Sequence, residues 1–291
     1  MPAIDPKAFR VEEGHSVNLA KWPTHVDSFY SSKKDYHEQL QRHVTTLTSL
    51  QSRLYASNRY ALLLIFQGMD TAGKDGVIKH VMSGVNPQGC QTYSFKHPGP
   101  EELAHDFLWN ATRRLPERGR IGIFNRSYYE EVLVVRVHPE ILHGENVPHE
   151  HQSAIWDHRY RSMIDLERHL HRNGTRVVKF FLHLSKEEQR QRLLARVEDP
   201  DKNWKLSMDD LKERGFWNDY MRAYEACLGA TSTGRAPWYI VPADDKPNAQ
   251  LIVSEIIAKT LSKLKLEYPK SGPQQKRDLE AIREKLEKES P

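Results

Sequence analysis

The stretch Tyr60–Gly76 reads YALLLIFQGMDTAGKDG and decides the fold of the chain. Its first part, up to Phe66, is a short run of large apolar side chains, typical of a strand buried on both faces of a sheet. From Gly68 to Lys74 the spacing G-x-x-x-x-G-K follows. In this spacing backbone N–H groups wrap a phosphate, and the lysine that starts the next helix adds a positive charge. The stretch therefore predicts a phosphate-binding loop between a central strand and a helix.

The predicted loop departs from the common pattern at one position. After Lys74 stands Asp75, where a hydroxyl that helps to hold Mg²⁺ is usual. The carboxylate of Asp70 can take over that task, because Mg²⁺ prefers oxygen ligands. An ordinary strand-to-helix turn would leave two glycines at this spacing unexplained. The candidate nucleotide- and phosphate-binding residues of the loop are Gly68, Met69, Asp70, Thr71, Ala72, Gly73, Lys74 and Asp75.

The composition of the chain narrows its class. The 291 residues include 43 basic and 39 acidic ones, a net charge of +4, which suits a locally basic groove for a polyanion. Two distant cysteines, Cys90 and Cys227, indicate neither a disulfide framework nor a cysteine metal site. No apolar run approaches the ~18 residues of a membrane span, and the N-terminus lacks the apolar core of a signal peptide. We expect a cytoplasmic protein without a membrane partner.

Apolar runs and helical patterns alternate along the rest of the chain. Further strands are predicted at Cys90–Phe95, Ile121–Phe124, Thr175–Leu184 and Trp238–Val241. Helices are predicted within residues 31–58, at 77–85, 101–114, 153–172, 215–228 and 249–264, and after Ser185. This alternation predicts an α/β P-loop fold, a five-stranded parallel sheet covered by helices on both faces.

The same patterns predict the organisation of the chain. We expect an irregular arm and a packing helix over residues 1–58, a P-loop core over 59–266 and a charged tail over 267–291. The tail is expected to be a frayed helix or disordered. Within the core, the helix after Ser185 carries several cations. Such a helix fits a solvated surface as well as a mobile lid over phosphates, and the candidate lid covers about residues 185–213.

A second group of polar residues follows the strand Ile121–Phe124. It reads NRSYYEE and begins with Asn125 and Arg126. Ligands of parallel α/β sheets gather at the carboxyl ends of the strands. We therefore expect Asn125, Arg126 and Glu130 to lie beside the phosphate loop.

Three motifs in this order give the chain a resemblance to a known family. With the phosphate loop, the stretch FNRSYYEEVLVVRVHPE and the segment EDPDKNWKLS, it resembles the polyphosphate kinase 2 family from about Tyr60 to Leu264. The similarity includes GFWNDYMRAYE and ATSTGRAPWYIVPADDK. Asn125 with the tyrosine and glutamate after it resembles the class III branch, whose members phosphorylate nucleoside mono- and diphosphates. The resemblance implies a thymidylate-kinase-like sheet, a helical lid, and assembly as a homodimer or homotetramer.

The resemblance also implies roles for single residues. Asp70 matches the loop aspartate that holds Mg²⁺, and Mn²⁺ is a possible substitute for this cofactor. Lys74 matches the lysine that neutralises the transferring phosphoryl group. Arg126 matches the arginine of the second motif, and Arg192 and Arg196 match the arginines of the lid. These five are the candidate catalytic residues.

The chain departs from the family pattern at two places. Asn125 stands where another branch has an aspartate and cannot be an anionic metal ligand, so a second carboxylate ligand would be Glu130 or Glu131. The second departure follows the fifth predicted strand, where an aromatic or basic pair and an arginine are replaced by Pro247, Asn248 and Gln250.

These features predict a polyphosphate-dependent nucleotide kinase. The terminal phosphoryl group of inorganic polyphosphate would pass, reversibly and with Mg²⁺, to ADP or GDP and also to AMP, giving ATP, GTP or ADP. A long phosphate chain requires a groove of cations, although each cation alone also fits a solvated side chain. The groove candidates are Lys79, Lys96, Arg113, Arg114, Arg118 and Lys202.

Two other functions fit parts of the sequence. An ATP-dependent nucleoside monophosphate kinase would share the sheet and the phosphate loop, and would differ in its phosphoryl donor. A P-loop switch or a nucleic-acid-binding module would use nucleotide binding to change shape. The chain has no basic ribbon interleaved with aromatic residues, so we expect no nucleic-acid partner.

Overall fold

The apolar run of the sequence forms the central strand of a parallel sheet. The computed structural model describes residues 3–96, 98–145, 148 and 154–289. Its strands are β1 (Ala61–Gln67), β2 (Cys90–Ser94), β3 (Ile121–Asn125), β4 (Thr175–His183) and β5 (Trp238–Pro242). They lie in the order β2-β3-β1-β4-β5, and every neighbouring pair is parallel.

Helices connect the strands. The α-helices are α1 (Lys33–Ser57), α2 (Lys74–Val81), α3 (Pro100–Leu103), α4 (Trp109–Thr112), α5 (Val134–Val137), α6 (Ile155–Arg172), α7 (Lys186–Glu198), α8 (Met208–Gly215), α9 (Trp217–Thr231), α10 (Lys246–Ser262) and α11 (Pro273–Lys288). The 3₁₀ helices are Pro6–Phe9, Leu19–Lys21, Pro87–Gly89, Tyr128–Val132, Pro139–Glu145 and Asn203–Lys205. Among the described residues, no helix is both long and apolar enough to cross a membrane.

The side chains of β1 enter two hydrophobic layers in alternation, because successive residues of a strand point to opposite faces. Leu62, Leu64 and Phe66 pack in one layer with the buried side chains of α1, α2 and α10. Leu63 and Ile65 pack in the other with those of α6 and α9. The predicted α/β sheet with helices on both faces is confirmed.

The N-terminal arm covers one edge of the sheet. The N–H of Val11 donates to the carbonyl of Trp238 at 2.9 Å, and Arg10 forms an antiparallel bridge with Tyr239. Ile4, Phe9, Val11 and Leu19 of the arm are buried. The arm therefore occupies backbone groups of the edge strand β5 that would otherwise be open to another chain.

One segment differs from the sequence-based predictions. The helix predicted over residues 101–114 is two short helices, α3 and α4. Between them the carboxylate of Asp106 accepts from the N–H of Leu108 at 2.9 Å, which favours a turn over a continuous helix. The tail, predicted to be a frayed helix or disordered, contains the helix α11, none of whose described side chains is buried.

Candidate active site

The phosphate loop lies where β1 ends and α2 begins. Gly68 and Gly73 have φ angles of 154° and 99°, and a Cβ on Gly68 would stand 3.0 Å from the carbonyl oxygen of Leu182. Glycine is therefore required at these turns, since side chains resist both the conformation and the close approach. The ammonium of Lys74 donates to the carbonyl oxygen of Gly68 at 2.7 Å. Burial, and then the positive charge of Arg126, lower the pKa of Lys74.

The second motif stands directly beside this loop. In the register of the sheet Phe66 of β1 pairs with Asn125 of β3, so Arg126 follows at the same edge. Its guanidinium donates to the carboxylate of Asp70 at 2.9 Å and lies 3.6 Å from that of Glu130. Glu130, with Asp70, raises the pKa of Arg126. The structure brings together the loop aspartate and the motif arginine that the sequence placed 56 residues apart.

Two residues of this site have backbone conformations that side chains usually avoid. Thr71 in the loop and Arg126 after β3 have φ angles of 66° and 62°, in the left-handed region. Such conformations cost free energy and concentrate at ligand-binding sites, where surrounding contacts hold them. Here the N–H of Arg126 donates to the carbonyl of Phe66 at 3.0 Å and holds its backbone.

A cleft of about 740 Å³ opens beside the loop and the motif. Its charged walls are mainly acidic, from the phosphate loop, the second motif and α8: Asp70, Asp75, Glu130, Glu131, Asp209, Asp210 and Glu213. Two basic side chains, Lys96 and Arg126, also line the cleft. Phosphates would be repelled from so acidic a surface unless a cation accompanied them.

The carboxylates of the cleft fit Mg²⁺ bound together with phosphates. Within the described ranges, no group of three or more His, Cys, Asp and Glu residues is arranged to hold a metal ion. Mg²⁺ does not need such a group, because it binds through one or two carboxylates, waters and substrate phosphates. Asp70 supplies one carboxylate at the loop, and Glu130 lies within reach of the same guanidinium. Glu131 is held by Arg159 at 3.0 Å, which makes Glu130 the better second candidate.

Asn125, the first residue of the second motif, contacts the phosphate loop helix α2, which gives this asparagine a structural role. Its side-chain amide donates to the carboxylate of Asp75 at 2.6 Å. This bond links the end of β3 to the first turn of α2. The amide therefore does structurally what an aspartate at this position could not do without a metal ion.

Helix α7 holds the loop from its outer side. Arg192 is 7% exposed, and its guanidinium donates to the carbonyls of Thr71 at 3.0 Å and Ala72 at 3.3 Å. It also donates to the carbonyls of Ala243 at 2.6 Å and Asp244 at 3.0 Å. The sequence suggested Arg192 as a lid arginine that closes over phosphates. In the structure this guanidinium instead joins the phosphate loop to the loop after β5.

Comparisons with known proteins agree with this geometry. The sequence profile of the family described as "Polyphosphate kinase 2 (PPK2)" matches residues 30–269. The chain is 62% identical over 285 residues to the "ADP-polyphosphate phosphotransferase" of Rhodopseudomonas palustris, covering 97% of this chain and 99% of that protein. It is 42% identical over 264 residues to the "AMP/ADP-polyphosphate phosphotransferase" of Meiothermus ruber, covering 90% and 95%.

A solved structure shares the fold. The crystal structure of polyphosphate kinase 2 from Arthrobacter aurescens TC1 matches with a TM-score of 0.85 at 38% identity, and covers 95% of this chain and 96% of that chain. The chain belongs to the polyphosphate kinase 2 family. The family resemblance predicted from three motifs is thereby confirmed. Its relatives support polyphosphate-dependent transfer to nucleotides and do not favour an ATP-dependent nucleoside monophosphate kinase.

The six groove candidates lie on several elements of this polyphosphate kinase 2 fold. Lys96 lines the acidic cleft, and Lys79 is exposed on α2. Arg113 stacks on Trp109 at 4.5 Å, and the guanidinium of Arg114 donates to the carbonyl of Asn110 at 2.9 Å. Lys202 pairs with Asp199, which follows the end of α7.

Arg118 lies at the wrong end of the sheet for the predicted groove. It precedes β3, whereas the phosphate loop follows β1, and these two strands are parallel. The amino end of β3 is therefore separated from the phosphate loop by the length of the strand. We do not include Arg118 in the phosphate-binding surface.

Sequence reasoning missed Lys246 as a phosphate-binding candidate. Burial lowers the pKa of Lys246, and the neighbouring charges of Arg192, Lys202 and Arg196 lower it further. Arg196 and Lys202 therefore lie near enough to Lys246 to affect its pKa, and Glu188 opposes them. We call Lys246, Arg196 and Lys202 the cationic cluster; Lys246 directly follows the loop after β5 that Arg192 ties to the phosphate loop. The signal was present, because Lys246 starts a helix directly after the carboxyl end of a strand.

Proposed function

We propose that this chain transfers the terminal phosphoryl group of inorganic polyphosphate to ADP, GDP and AMP, reversibly and with Mg²⁺. Relatives named for ADP and for AMP/ADP support both kinds of acceptor. The observation that carries the proposal is the position of the phosphate loop between two surfaces of opposite charge. One is the acidic cleft, and the other is the cationic cluster of Lys246, Arg196 and Lys202.

The two surfaces suit the two substrates. The cationic cluster attracts a long polyanion such as polyphosphate without a metal ion for every phosphate. The acidic cleft suits the nucleotide, whose few phosphates lie at the loop while its ribose and base offer hydrogen-bond donors to carboxylates. We therefore propose that polyphosphate approaches over α7 and α10, and that the nucleotide occupies the cleft between β3 and α8.

Phosphoryl transfer requires donor and acceptor in line and positive charge on the moving group. The loop amides of Gly68–Lys74 would hold the acceptor phosphates, and Lys74 and Arg126 would contact the moving phosphoryl group. One bond between phosphorus and bridging oxygen in polyphosphate breaks as a terminal phosphate oxygen of the nucleotide bonds to that phosphorus. The family depends on a metal ion, and Mg²⁺ on Asp70, with Glu130 near, would neutralise phosphate charge.

Chromatography of reaction products tests the proposal. Purified protein is incubated with Mg²⁺, long-chain polyphosphate and either ADP or AMP, with no ATP present. We expect ADP to be converted to ATP. We expect AMP to be converted first to ADP and then to ATP. If polyphosphate gives no product while ATP phosphorylates a nucleoside monophosphate, the protein is an ordinary monophosphate kinase. We also propose a cytoplasmic location. We further propose assembly as a dimer or tetramer, and light scattering of the purified protein tests this oligomeric state.

A further inference from the structure

Helix α8 forms one wall of the acidic cleft but is weakly attached to the core. None of its described side chains is buried, and Met208 and Leu211 are 71% and 60% exposed. An element with so little buried apolar surface opens at low cost in free energy. Its position therefore depends on the polar contacts of its last turn, made by Glu213 and Arg214.

Arg214 reaches from α8 to a buried amide on α7. Its guanidinium donates to the side-chain oxygen of Gln189 at 2.7 Å and to the carbonyl of Lys186 at 2.8 Å. Gln189 is 2% exposed, and burying an amide is costly unless its hydrogen bonds are made. The amide of Gln189 is thus a fixed point against which the end of α8 rests.

The other side of the same amide holds the phosphate loop. The nitrogen of Gln189 donates to the backbone carbonyl of Asp70 at 3.1 Å. The orientation of the amide is set by its partners, since a guanidinium only donates and a carbonyl only accepts. One buried side chain therefore connects α8 to the residue whose carboxylate meets Arg126 and fits Mg²⁺.

We propose that Gln189 is a positioning residue that couples the place of α8 to the place of Asp70. When α8 rests on the core, Arg214 holds the amide and the amide holds the Asp70 backbone. When α8 moves away, the loop carbonyl loses part of that support. Nucleotide in the cleft and metal ion at the loop would then favour each other's binding, because both select the same arrangement. The metal part of this inference rests on the proposed function.

Three variants separate the two ends of this connection. Gln189→Met removes both hydrogen bonds at nearly constant size. Gln189→Glu keeps an acceptor for Arg214 but presents an oxygen to the Asp70 carbonyl. Arg214→Met removes the α8 end alone. Gln191→Met is the matched control, because Gln191 is exposed on the same helix and its amide donates to Glu187.

Hydrogen exchange of the free protein measures both ends without catalysis. We expect faster exchange over residues 68–74 in all three variants, because loss of the α8 end also weakens the support of the Asp70 carbonyl. We expect faster exchange over residues 208–215 in Gln189→Met and Arg214→Met. If Gln189→Glu or Arg214→Met retains wild-type exchange in the loop, or Arg214→Met retains it in α8, the coupling is wrong. Because no substrate is present, this result is independent of whether polyphosphate is the donor.

Kinetics distinguishes positioning from simple loss of stability. In Gln189→Met and Gln189→Glu the Mg²⁺ concentration for half-maximal rate should rise about fivefold, the effect of one hydrogen bond, while kcat at saturating Mg²⁺ changes less. Gln191→Met should match wild type. An unchanged Mg²⁺ dependence with lowered kcat would contradict positioning. If Gln189→Met fails to fold, Gln189→Glu and Arg214→Met still test the two ends.

Discussion

At the scale of single residues, the candidate active site is a set of opposed charges that balance one another. Arg126 lies between Asp70 and Glu130, and Lys74 rests on the Gly68 carbonyl. Each cation is therefore held at the loop by a charge-assisted hydrogen bond. A phosphate entering the loop can replace these partners without moving the backbone, which is the arrangement that transition-state stabilisation by fixed charges requires.

Replacing Lys74 tests the central charge of the site. Lys74→Met should lower kcat by several orders of magnitude, corresponding to roughly 3 to 5 kcal/mol of transition-state stabilisation. Steady-state rates with polyphosphate and ADP measure this, with circular dichroism to show that the protein is folded. Lys285→Met on the exposed helix α11 is the control and should keep the wild-type rate. A folded Lys74→Met variant with near-normal turnover would refute the site.

The contact between Asn125 and Asp75 makes a second prediction. Asn125→Asp would place two carboxylates where an amide now donates at 2.6 Å, so their repulsion should lower the free energy of unfolding by about 1 kcal/mol without metal. Added Mg²⁺ should restore the free energy of unfolding of Asn125→Asp. The melting temperature of the variant should therefore rise more on addition of Mg²⁺ than that of wild type. The double variant Asn125→Asp with Asp75→Asn rebuilds an amide–carboxylate pair and should need no metal. Equal Mg²⁺ responses in all three proteins would contradict this account.

At the scale of elements, helix α7 supports the phosphate loop by hydrogen bonds to its carbonyl groups. Backbone N–H groups of such a loop face the ligand, so its carbonyls face outward and need donors. Gln189 and Arg192, three residues apart on one side of α7, donate to the carbonyls of Asp70, Thr71 and Ala72. The strained conformation of Thr71 is held by these bonds. Helix α7 thus stabilises the phosphate loop through these bonds.

The two arginines of α7 that the sequence grouped together should behave differently. Arg192→Met should lower the free energy of unfolding by about 3 kcal/mol, because it leaves buried carbonyls and a carboxylate without a donor. Arg196→Met should leave stability within about 0.5 kcal/mol and weaken polyphosphate binding. Urea unfolding and polyphosphate KM measure the two effects. Arg190→Met, which removes an exposed pair with Glu187, is the control for stability. If Arg192→Met is as stable as this control, Arg192 does not stabilise the phosphate loop.

A buried histidine at the end of β4 should make stability depend on pH. His183 is 5% exposed, its Nδ1 has no hydrogen-bond partner in the described part of the chain, and burial lowers its pKa below the ordinary 6.5. The charge of Asp244 opposes this shift. The unfolded chain therefore takes up the proton first, so this residue lowers the stability of the fold as pH falls below about 6.5.

The substitution His183→Gln tests this pH effect. The loss of unfolding free energy between about pH 7.5 and about pH 5.5 should be smaller in the variant than in wild type, by about 1 kcal/mol. Urea unfolding at each pH measures it. His80→Gln, at an exposed position, should leave the pH dependence unchanged. A variant with the full wild-type loss would show that His183 is protonated in the native state.

At the scale of the whole molecule, the two ends of the chain contribute very differently to the fold. The arm is bound to the core by apolar burial and by Asn248 of α10, and helix α1 is bound by Gln250 of α10. Asn248 accepts from the N–H of Phe29 at 3.0 Å, and Gln250 accepts from the hydroxyl of Tyr36. These are residues at which the sequence departs from the family pattern. In this chain they hold the segment that precedes the core, whereas α11 has no buried described side chain.

Truncation at each end tests this difference. Removal of residues 1–22 should lower the free energy of unfolding by at least ~5 kcal/mol, because it exposes the sites of Ile4, Phe9, Val11 and Leu19. Removal of residues 271–291 should leave the melting temperature and the rate unchanged. Light scattering on both truncations reports whether either end takes part in assembly. A destabilised tail truncation would show that α11 packs on another copy of the chain.

Much of this protein was predictable from local sequence patterns. The strands follow from short apolar runs, and the phosphate loop follows from the spacing of two glycines and a lysine. The place of the second motif follows from the rule that parallel strands present their carboxyl ends at one edge. That rule brought Asp70, Lys74, Asn125, Arg126 and Glu130 together correctly. Each of these inferences depends on residues within one strand and the turn after it.

Only the tertiary structure decided which partner each long polar side chain takes. Arg192 holds a loop 121 residues away, Lys246 joins the cationic cluster, Arg118 lies at the opposite end of the sheet, and Gln189 links α8 to Asp70. Periodicity reports which face of an element is buried, and charge runs report that cations are present. Neither periodicity nor a charge run reports the distance between two elements, because the packing of the whole core sets that distance. The partner of a long flexible side chain then depends on where the folded backbone places it.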